Sequence, residues 1–211
     1  MHYVPETGFN IVLAGRWNVF IFSPSWIKEN LLEAEGDGEQ LSISVPVADP
    51  IAPHRISFGS VFLFPSSQGI ELRPTEPTED AIRRTCNVAR RILELLSHTP
   101  IVAAGINFRF VTNNEAVSLT NLFSFSDAMD IPAEKFPLKQ ATVARSFSFE
   151  EHTLNLNISQ IGAEILIEFN FHYESHSAEN LRNQLIYEEV ERMRILAIDF
   201  IDTTYKQSLD Q

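Results

Sequence analysis

Alternating apolar and polar residues mark most of the predicted strands. In the segment 163–176, apolar residues occupy one parity and polar residues, among them Glu164 and Glu168, occupy the other. This alternation is typical of an antiparallel strand that is buried on one face only. The same pattern, or a run of β-branched and aromatic residues, predicts strands at 9–13, 17–22, 41–47, 56–64, 70–73, 106–110, 143–149 and 154–158.

Apolar residues spaced three and four apart predict two long amphipathic helices. The first covers 77–98, and the second covers about 178–206, beginning near Ser177 or at Tyr187. Ser23 followed by Pro24 predicts the start of a short helix that ends before the glycines at 36 and 38. A further short helix is expected within 113–129.

The order of these elements repeats along the chain. Residues 1–100 and residues 101–211 each give a strand, a short helix, three strands and a long helix. We therefore predict an α+β fold made of two similar β-rich halves, each closed by its long helix and packed together as one compact unit. Pro46 indicates that the strand at 41–47 lies at a sheet edge.

Composition narrows the function classes. The chain has 211 residues and a formal net charge of −12, which disfavours a surface for binding nucleic acid. No apolar run is long enough for a membrane span, and the N-terminus lacks the pattern of an export signal. With one cysteine, no internal disulfide can form, so a soluble protein in the cytoplasm is expected.

Two stretches carry a resemblance. The run 105–111 follows a long helix that has a hairpin before it, and a final amphipathic helix ends near 200–202. This arrangement resembles a sporadically distributed family of uncharacterised bacterial proteins with two β-rich halves, each closed by a helix. The stretch 15–26 is similar to the opening of other uncharacterised bacterial proteins. The resemblance implies the two-half α+β fold and a bacterial setting, and it implies no particular chemistry.

Motifs for nucleophilic or nucleotide chemistry are missing from the sequence. Cys86 falls at an apolar helical position, where a free cysteine usually behaves as a small buried side chain. No serine lies in a Gly-x-Ser-x-Gly turn, and no glycine-rich phosphate loop occurs. We therefore expect no catalytic residue and no cofactor.

Histidines and acids near the end of the last predicted strand raise a metal question. His172 and His176 would need a turn between them to approach one ion, because an extended strand separates them too far. Glu164 and Glu168 share a strand face and could act as paired carboxylates. The alternative for all four is the solvated face of a one-sided sheet, and no metal is predicted.

Four arginines lie on the first long helix. Arg83 and Arg90 are seven residues apart, as are Arg84 and Arg91, so each pair shares a helix stripe. One interpretation is a solvated face with local ion pairs. The other is a basic ridge that binds an acidic protein surface, either the second long helix of another copy or a different protein.

Two functional hypotheses follow. The first is a non-catalytic interaction or adaptor subunit of a bacterial cytoplasmic multi-protein system, for example in host defence, with a protein partner or self-association. The second is a small-ligand-binding protein or enzyme with an anion-accepting pocket between the halves, lined by Arg109 and Arg145. Arg145 shares the parity of apolar residues in its strand and is expected to point inward, toward an anion or an acidic partner.

Overall fold

The architecture is given by a computed structural model. It describes residues 1–4, 7–32, 41–45, 54–113, 117–124, 131 and 134–208. Three expectations lie outside these residues, namely the helix end at 36–38, the edge proline at 46 and any helix within 125–129. The fold class is α+β, as predicted.

The described residues form one antiparallel sheet of ten strands. The strands are β1 (His2–Tyr3), β2 (Phe9–Gly15), β3 (Ser42–Ser44), β4 (Arg55–Phe58), β5 (Val61–Pro65), β6 (Gly69–Pro74), β7 (Ile101–Asn113), β8 (Gln140–Phe149), β9 (His152–Ile161) and β10 (Glu164–Glu174). Their order is β3-β4-β5-β6-β2-β7-β10-β9-β8, and β1 pairs with β7. The sheet therefore ends at β3 on one side and at β8 on the other.

Helices cover one face of this sheet. They are α1 (Pro24–Asn30), α2 (Glu79–Leu95), α3 (Val117–Thr120), α4 (Ala178–Gln184) and α5 (Tyr187–Tyr205). The helix α2 packs on β2, β5 and β6, while α4 and α5 pack on β7 and also contact α2. Each of α1, α2 and α4 begins at a hydroxyl side chain that accepts a hydrogen bond from a backbone N–H of the first turn. These hydroxyls belong to Ser23, Thr78 and Ser177 respectively.

The core lies between the sheet and the helices. Buried residues from both ends of the chain form one contiguous cluster. Its largest fully buried side chains are aromatic. Four lie on the central strands β7 and β10, at Phe108, Phe110, Phe169 and Phe171, and the fifth is Phe58 on β4. The alternation along β10 is as predicted, because its odd-numbered residues from Ile165 to Tyr173 are buried and the intervening ones are partly exposed.

The two halves of the chain join through β2 and β7. Phe9 pairs with Phe108, Ile11 with Ile106 and Leu13 with Ala104 in antiparallel register. This pairing makes the sheet continuous across the middle of the chain.

One predicted strand is wrong. Residues Val19–Ile21 form a 3₁₀ turn instead of extended chain. The indole of Trp17 is buried and donates from Nε1 to the carbonyl of Leu13 at 3.0 Å, which turns the chain away from the sheet. Asn18 then accepts from the N–H of Phe20 and caps the turn, leaving Phe20 exposed.

The single strand predicted for 56–64 is two strands. The chain reverses at Gly59, whose φ is +52°, and Phe58 pairs with Val61 across the turn. The reversal shifts the parity, so Ile56 and Phe58 are buried, whereas Phe62 lies on the other face of the sheet.

The second long helix is divided. Both starting points expected for it are used, since α4 begins after Ser177 and α5 begins at Tyr187. Ile186 between them has extended backbone angles, which ends the first helix and redirects the second. The first long helix is confirmed as α2.

Candidate functional site

Arg83 of α2 faces α5 of the same chain. Its guanidinium contacts Glu79 at 3.0 Å and Glu188 at 3.4 Å, and it stacks 3.8 Å from the ring centroid of Tyr187. The acidic helix that the sequence suggested as a partner for the arginines thus contacts Arg83 within one molecule. These are half-exposed surface pairs that contribute little individually.

The other three arginines of the predicted ridge are also engaged or buried within the same molecule. Arg84 donates to the carbonyl of Leu31 at the end of α1, at 2.8 Å. Arg91 pairs with Glu94 at 2.9 Å. The Nε of Arg90 is buried and has no hydrogen-bond partner among the described residues. The structure therefore distributes the four arginines among different neighbours.

The two arginines predicted to share a pocket lie on opposite faces of the sheet. Arg109 on β7 pairs with Glu168 on β10 at 2.7 Å, on the face opposite the helices. Arg145 on β8 donates from Nη1 to the hydroxyl of Tyr205 on α5 at 3.2 Å, on the helix-covered face. No pocket can include both side chains, and a shared anion site is not formed.

The histidines at the end of β10 make separate contacts. His172 lies 3.7 Å from Glu174, and Nδ1 of His176 lies 3.2 Å from the carbonyl of Ile101. Within the described part of the chain, no group of three or more histidine, cysteine or acidic side chains is arranged to hold a metal ion. Glu164 is exposed, and the carboxylate of Glu168 is engaged by Arg109.

Cys86 is fully buried in α2. Burial raises the pKa of its thiol to about 12, so the thiolate needed for nucleophilic attack is not populated at neutral pH. This placement agrees with its interpretation as a core residue.

A row of amides crosses the sheet face opposite the helices. Its asparagines lie directly opposite one another in the strand registers, and each donates from Nδ2 to the next. The bonds run from Asn155 to Asn170 (3.0 Å), from Asn170 to Asn107 (2.7 Å), from Asn107 to Asn10 (2.6 Å) and from Asn10 to the carboxylate of Glu71. We call this row the asparagine ladder. It connects β9, β10, β7, β2 and β6 side by side.

The strand β8 forms a long edge that is free of any other described strand, and the 3₁₀ turn Asn121–Phe123 contacts it. This strand is ten residues long and pairs with β9 in an uninterrupted register from Gln140 to Phe149. No described residue pairs with its other side. Natural sheets usually protect such an edge with proline, a bulge or a charged side chain, and of these β8 has only the charged side chain of Arg145, which points toward the helices.

An apolar cleft lies beside this edge, between β8 and α5. Its volume is about 380 Å³. It is lined mainly by apolar side chains, with Asp199 and Thr203 at its border, and the lining comprises Phe147, Ser148, Phe149, Leu154, Leu196, Asp199, Phe200 and Thr203. Phe147 is 37% exposed although it faces the helix, and its ring lies 6.1 Å from that of Phe200. The unpaired backbone groups of β8 therefore lie next to the apolar lining of the cleft.

A second cleft, of about 270 Å³, lies between the end of β10 and α4 and is polar. It is lined by Glu151, Tyr173, Glu174, Ser175, Asn180, Leu181, Asn183 and Gln184. The hydroxyl of Tyr173 is buried and unpartnered among the described residues, as is Nε2 of the adjacent His152. Burial raises the pKa of the Tyr173 hydroxyl. This cleft lacks the apolar wall and the free strand edge found beside β8.

Sequence reasoning identified β8 as a strand but did not identify it as the edge. Val143, Phe147 and Phe149 share a parity, which indicates a strand with one apolar face. The order of strands in the sheet depends on pairing between distant segments, and alternation does not encode it. The lack of proline, lysine and acid within 140–149 is typical of an interior strand, so it gives no signal of an edge.

Comparison with known proteins finds no protein-family model that matches the chain and no matching curated protein. Among the described residues, none of the helices combines the length and the apolar character that a membrane crossing requires.

Proposed function

We propose that this protein is a non-catalytic interaction subunit that binds an extended segment of another protein along the free edge of β8. The observation that carries the proposal is the adjacency of a ten-residue edge, with which no described residue pairs, and an apolar cleft of about 380 Å³. Strand addition uses these two features together, because edge hydrogen bonds give affinity and a neighbouring pocket selects side chains.

The geometry of the cleft supports binding by strand addition. A new strand would lie about 4.8 Å from β8, with every second side chain directed toward the helix-covered face. Those side chains would meet Phe147 and Phe149, and beyond them Phe200 of α5. An apolar side chain placed there would cover aromatic surface that is now partly exposed.

The order of strands supports the further proposal that the fold is an internal duplication. The first half has the order β4-β5-β6-β2 and the second has β8-β9-β10-β7, each counted toward the middle of the sheet. In the first half, β3 pairs outside β4, whereas no described residue takes the corresponding position beside β8. A partner strand at β8 would occupy the place that β3 takes beside β4. The resemblance of the chain to a two-half bacterial family adds a bacterial assembly as the setting.

The test is selection of phage-displayed random peptides about as long as β8 on the immobilised protein. Peptides that bind the natural protein and Phe20→Asp, but not Phe147→Asp, would support the proposal. Phe20 is a matched control because it is 90% exposed and lies away from β8. Far-UV circular dichroism verifies that each variant is folded, and Phe147→Ser replaces Phe147→Asp if the latter unfolds.

Hydrogen–deuterium exchange then locates the selected peptide. We expect slower exchange of amides in Gln140–Phe149, because the outward N–H groups of β8 become hydrogen-bonded. The proposal would be overturned if the selection yielded no peptide whose binding depends on Phe147. It would also be overturned if the peptide slowed hydrogen exchange elsewhere and left the exchange of β8 unchanged.

A further inference from the structure

Arg145 is a half-buried cation at the free edge, and no described carboxylate forms an ion pair with it. Its Nη1 donates to the hydroxyl of Tyr205, and no carboxylate among the described residues lies within 4.0 Å of its guanidinium. By contrast, each arginine described above as paired with an acid finds that acid within this chain. A guanidinium removed partly from water is stabilised strongly by a carboxylate, which can accept two parallel hydrogen bonds from it.

The position of Arg145 relative to the cleft sets a spacing. Arg145 and Phe147 are two residues apart on β8 and point to the same face of the sheet. In a paired strand, the residues opposite them are also two apart and point to that same face. A bound segment would therefore present one side chain to Arg145 and the side chain two positions away to the apolar cleft.

A second copy of this chain would not satisfy Arg145. The strand β8 contains no aspartate or glutamate, so pairing of two β8 edges would offer Arg145 no carboxylate from the opposite strand in any register. The charge pattern thus favours a different protein as the partner.

The cleft also discriminates by charge. Asp199 lies at its border and would repel a carboxylate placed there. An acidic side chain is therefore favoured opposite Arg145 and disfavoured opposite Phe147.

We infer, resting on the proposed function, that β8 recognises an extended protein segment with Asp or Glu opposite Arg145 and a large apolar residue two positions away, opposite Phe147. The recognition pattern is thus acidic-x-apolar on one face of the bound strand. Arg145 serves as the residue that determines specificity, while the edge and the cleft provide most of the binding surface.

A charge reversal tests this inference. The same peptide library is selected separately on the natural protein, on Arg145→Glu and on Arg145→Lys, and the enriched sequences are aligned. We expect an acidic position two residues from an apolar one for the natural protein and for Arg145→Lys. For Arg145→Glu, we expect Lys or Arg at that position, with the apolar position retained.

Binding of one selected peptide, made synthetically, gives the size of the effect. Its affinity for Arg145→Glu should be weaker by about tenfold or more, as for loss of a charged hydrogen bond. If Arg145→Glu selects the same acidic peptides with unchanged affinity, the inference is wrong although strand addition at β8 stands. If no peptide depends on Phe147 in the first place, the proposed function itself fails.

Discussion

The asparagine ladder shows what single side chains contribute to this sheet. Asn170 occupies its middle, donating to Asn107 at 2.7 Å and accepting from Asn155 at 3.0 Å. All three are partly buried. Removal of one amide therefore leaves its neighbours without hydrogen-bond partners at positions where water is a poor substitute for the lost amide. The ladder therefore acts as a set of cross-strand bonds added to the backbone pairing.

We predict that Asn170→Ala lowers the free energy of unfolding by about 1–2 kcal/mol. Asn157→Ala is the matched control, because Asn157 lies on the same sheet face one pair along β9 and has no side-chain hydrogen bond among the described residues. It should change stability by less than about 0.5 kcal/mol. Urea denaturation followed by circular dichroism measures both, and equal losses would refute the role of the ladder.

His152 gives a prediction that depends on pH. It is buried among Phe149, Phe171 and Tyr173, and desolvation lowers its pKa below the ordinary 6.5, with Glu150 opposing and Arg192 reinforcing the shift. The unfolded chain therefore binds a proton before the folded one does. Stability contributed by the neutral histidine is present above about pH 6.5 and is lost as the pH falls toward its folded pKa.

The measurement compares the natural protein with His152→Phe between pH 7.5 and pH 5. The variant should gain stability relative to the natural protein as the pH falls, because it has no proton to take up. An NMR titration of the His152 ring should have its midpoint below 6.5. A midpoint at or above that value would contradict the prediction.

At the scale of elements, three two-residue hairpins share one backbone feature. The first loop residue has positive φ in each: +52° at Gly59, +52° at Glu150 and +60° at Gly162. Glycine adopts this conformation freely, whereas glutamate adopts it at a cost. Glu150 therefore occupies a position that favours glycine. Both of its carboxylate oxygens accept hydrogen bonds from Arg192 of α5 at 2.9 Å.

We predict that the benefit of glycine at 150 depends on Arg192. In an Arg192→Ala background, Glu150→Gly should raise the free energy of unfolding, since backbone strain is relieved and no ion pair is lost. In the natural background the gain should be smaller. Gly162→Ala is the reverse control and should cost about 1 kcal/mol. Thermal denaturation of the four combinations at 150 and 192 measures this coupling, and identical effects in both backgrounds would exclude it.

Elements also show how far the sequence predicts this fold. The strand β10 and the helix α2 follow from local periodicity, because each buries one face along its whole length. The turn at Val19–Ile21 does not follow from periodicity. It depends on the hydrogen bond from Trp17 to Leu13, and an apolar run in the sequence gives no sign of that bond. The asparagine ladder and the free edge are also missed, because both arise from registers between segments far apart in the chain.

At the scale of the whole molecule, the pairing of β2 with β7 links the two halves of the chain. Phe108 on β7 is fully buried, and its ring lies 5.4 Å from that of Phe9 and 6.0 Å from that of Phe171. These neighbours belong to opposite ends of the chain. Loss of packing at Phe108 should therefore lower the stability of both halves together, which is the behaviour of a single cooperative unit.

We predict one unfolding transition for the whole chain. Trp17 and Trp26 both lie in the first half, so tryptophan fluorescence reports that half, whereas hydrogen exchange of amides in β9 reports the second. The two probes should give the same midpoint in urea. Phe108→Leu should shift both midpoints equally, by an amount equivalent to about 1 kcal/mol. Separate midpoints, or a shift confined to one probe, would mean that each half folds on its own core and that the β2–β7 junction only connects them.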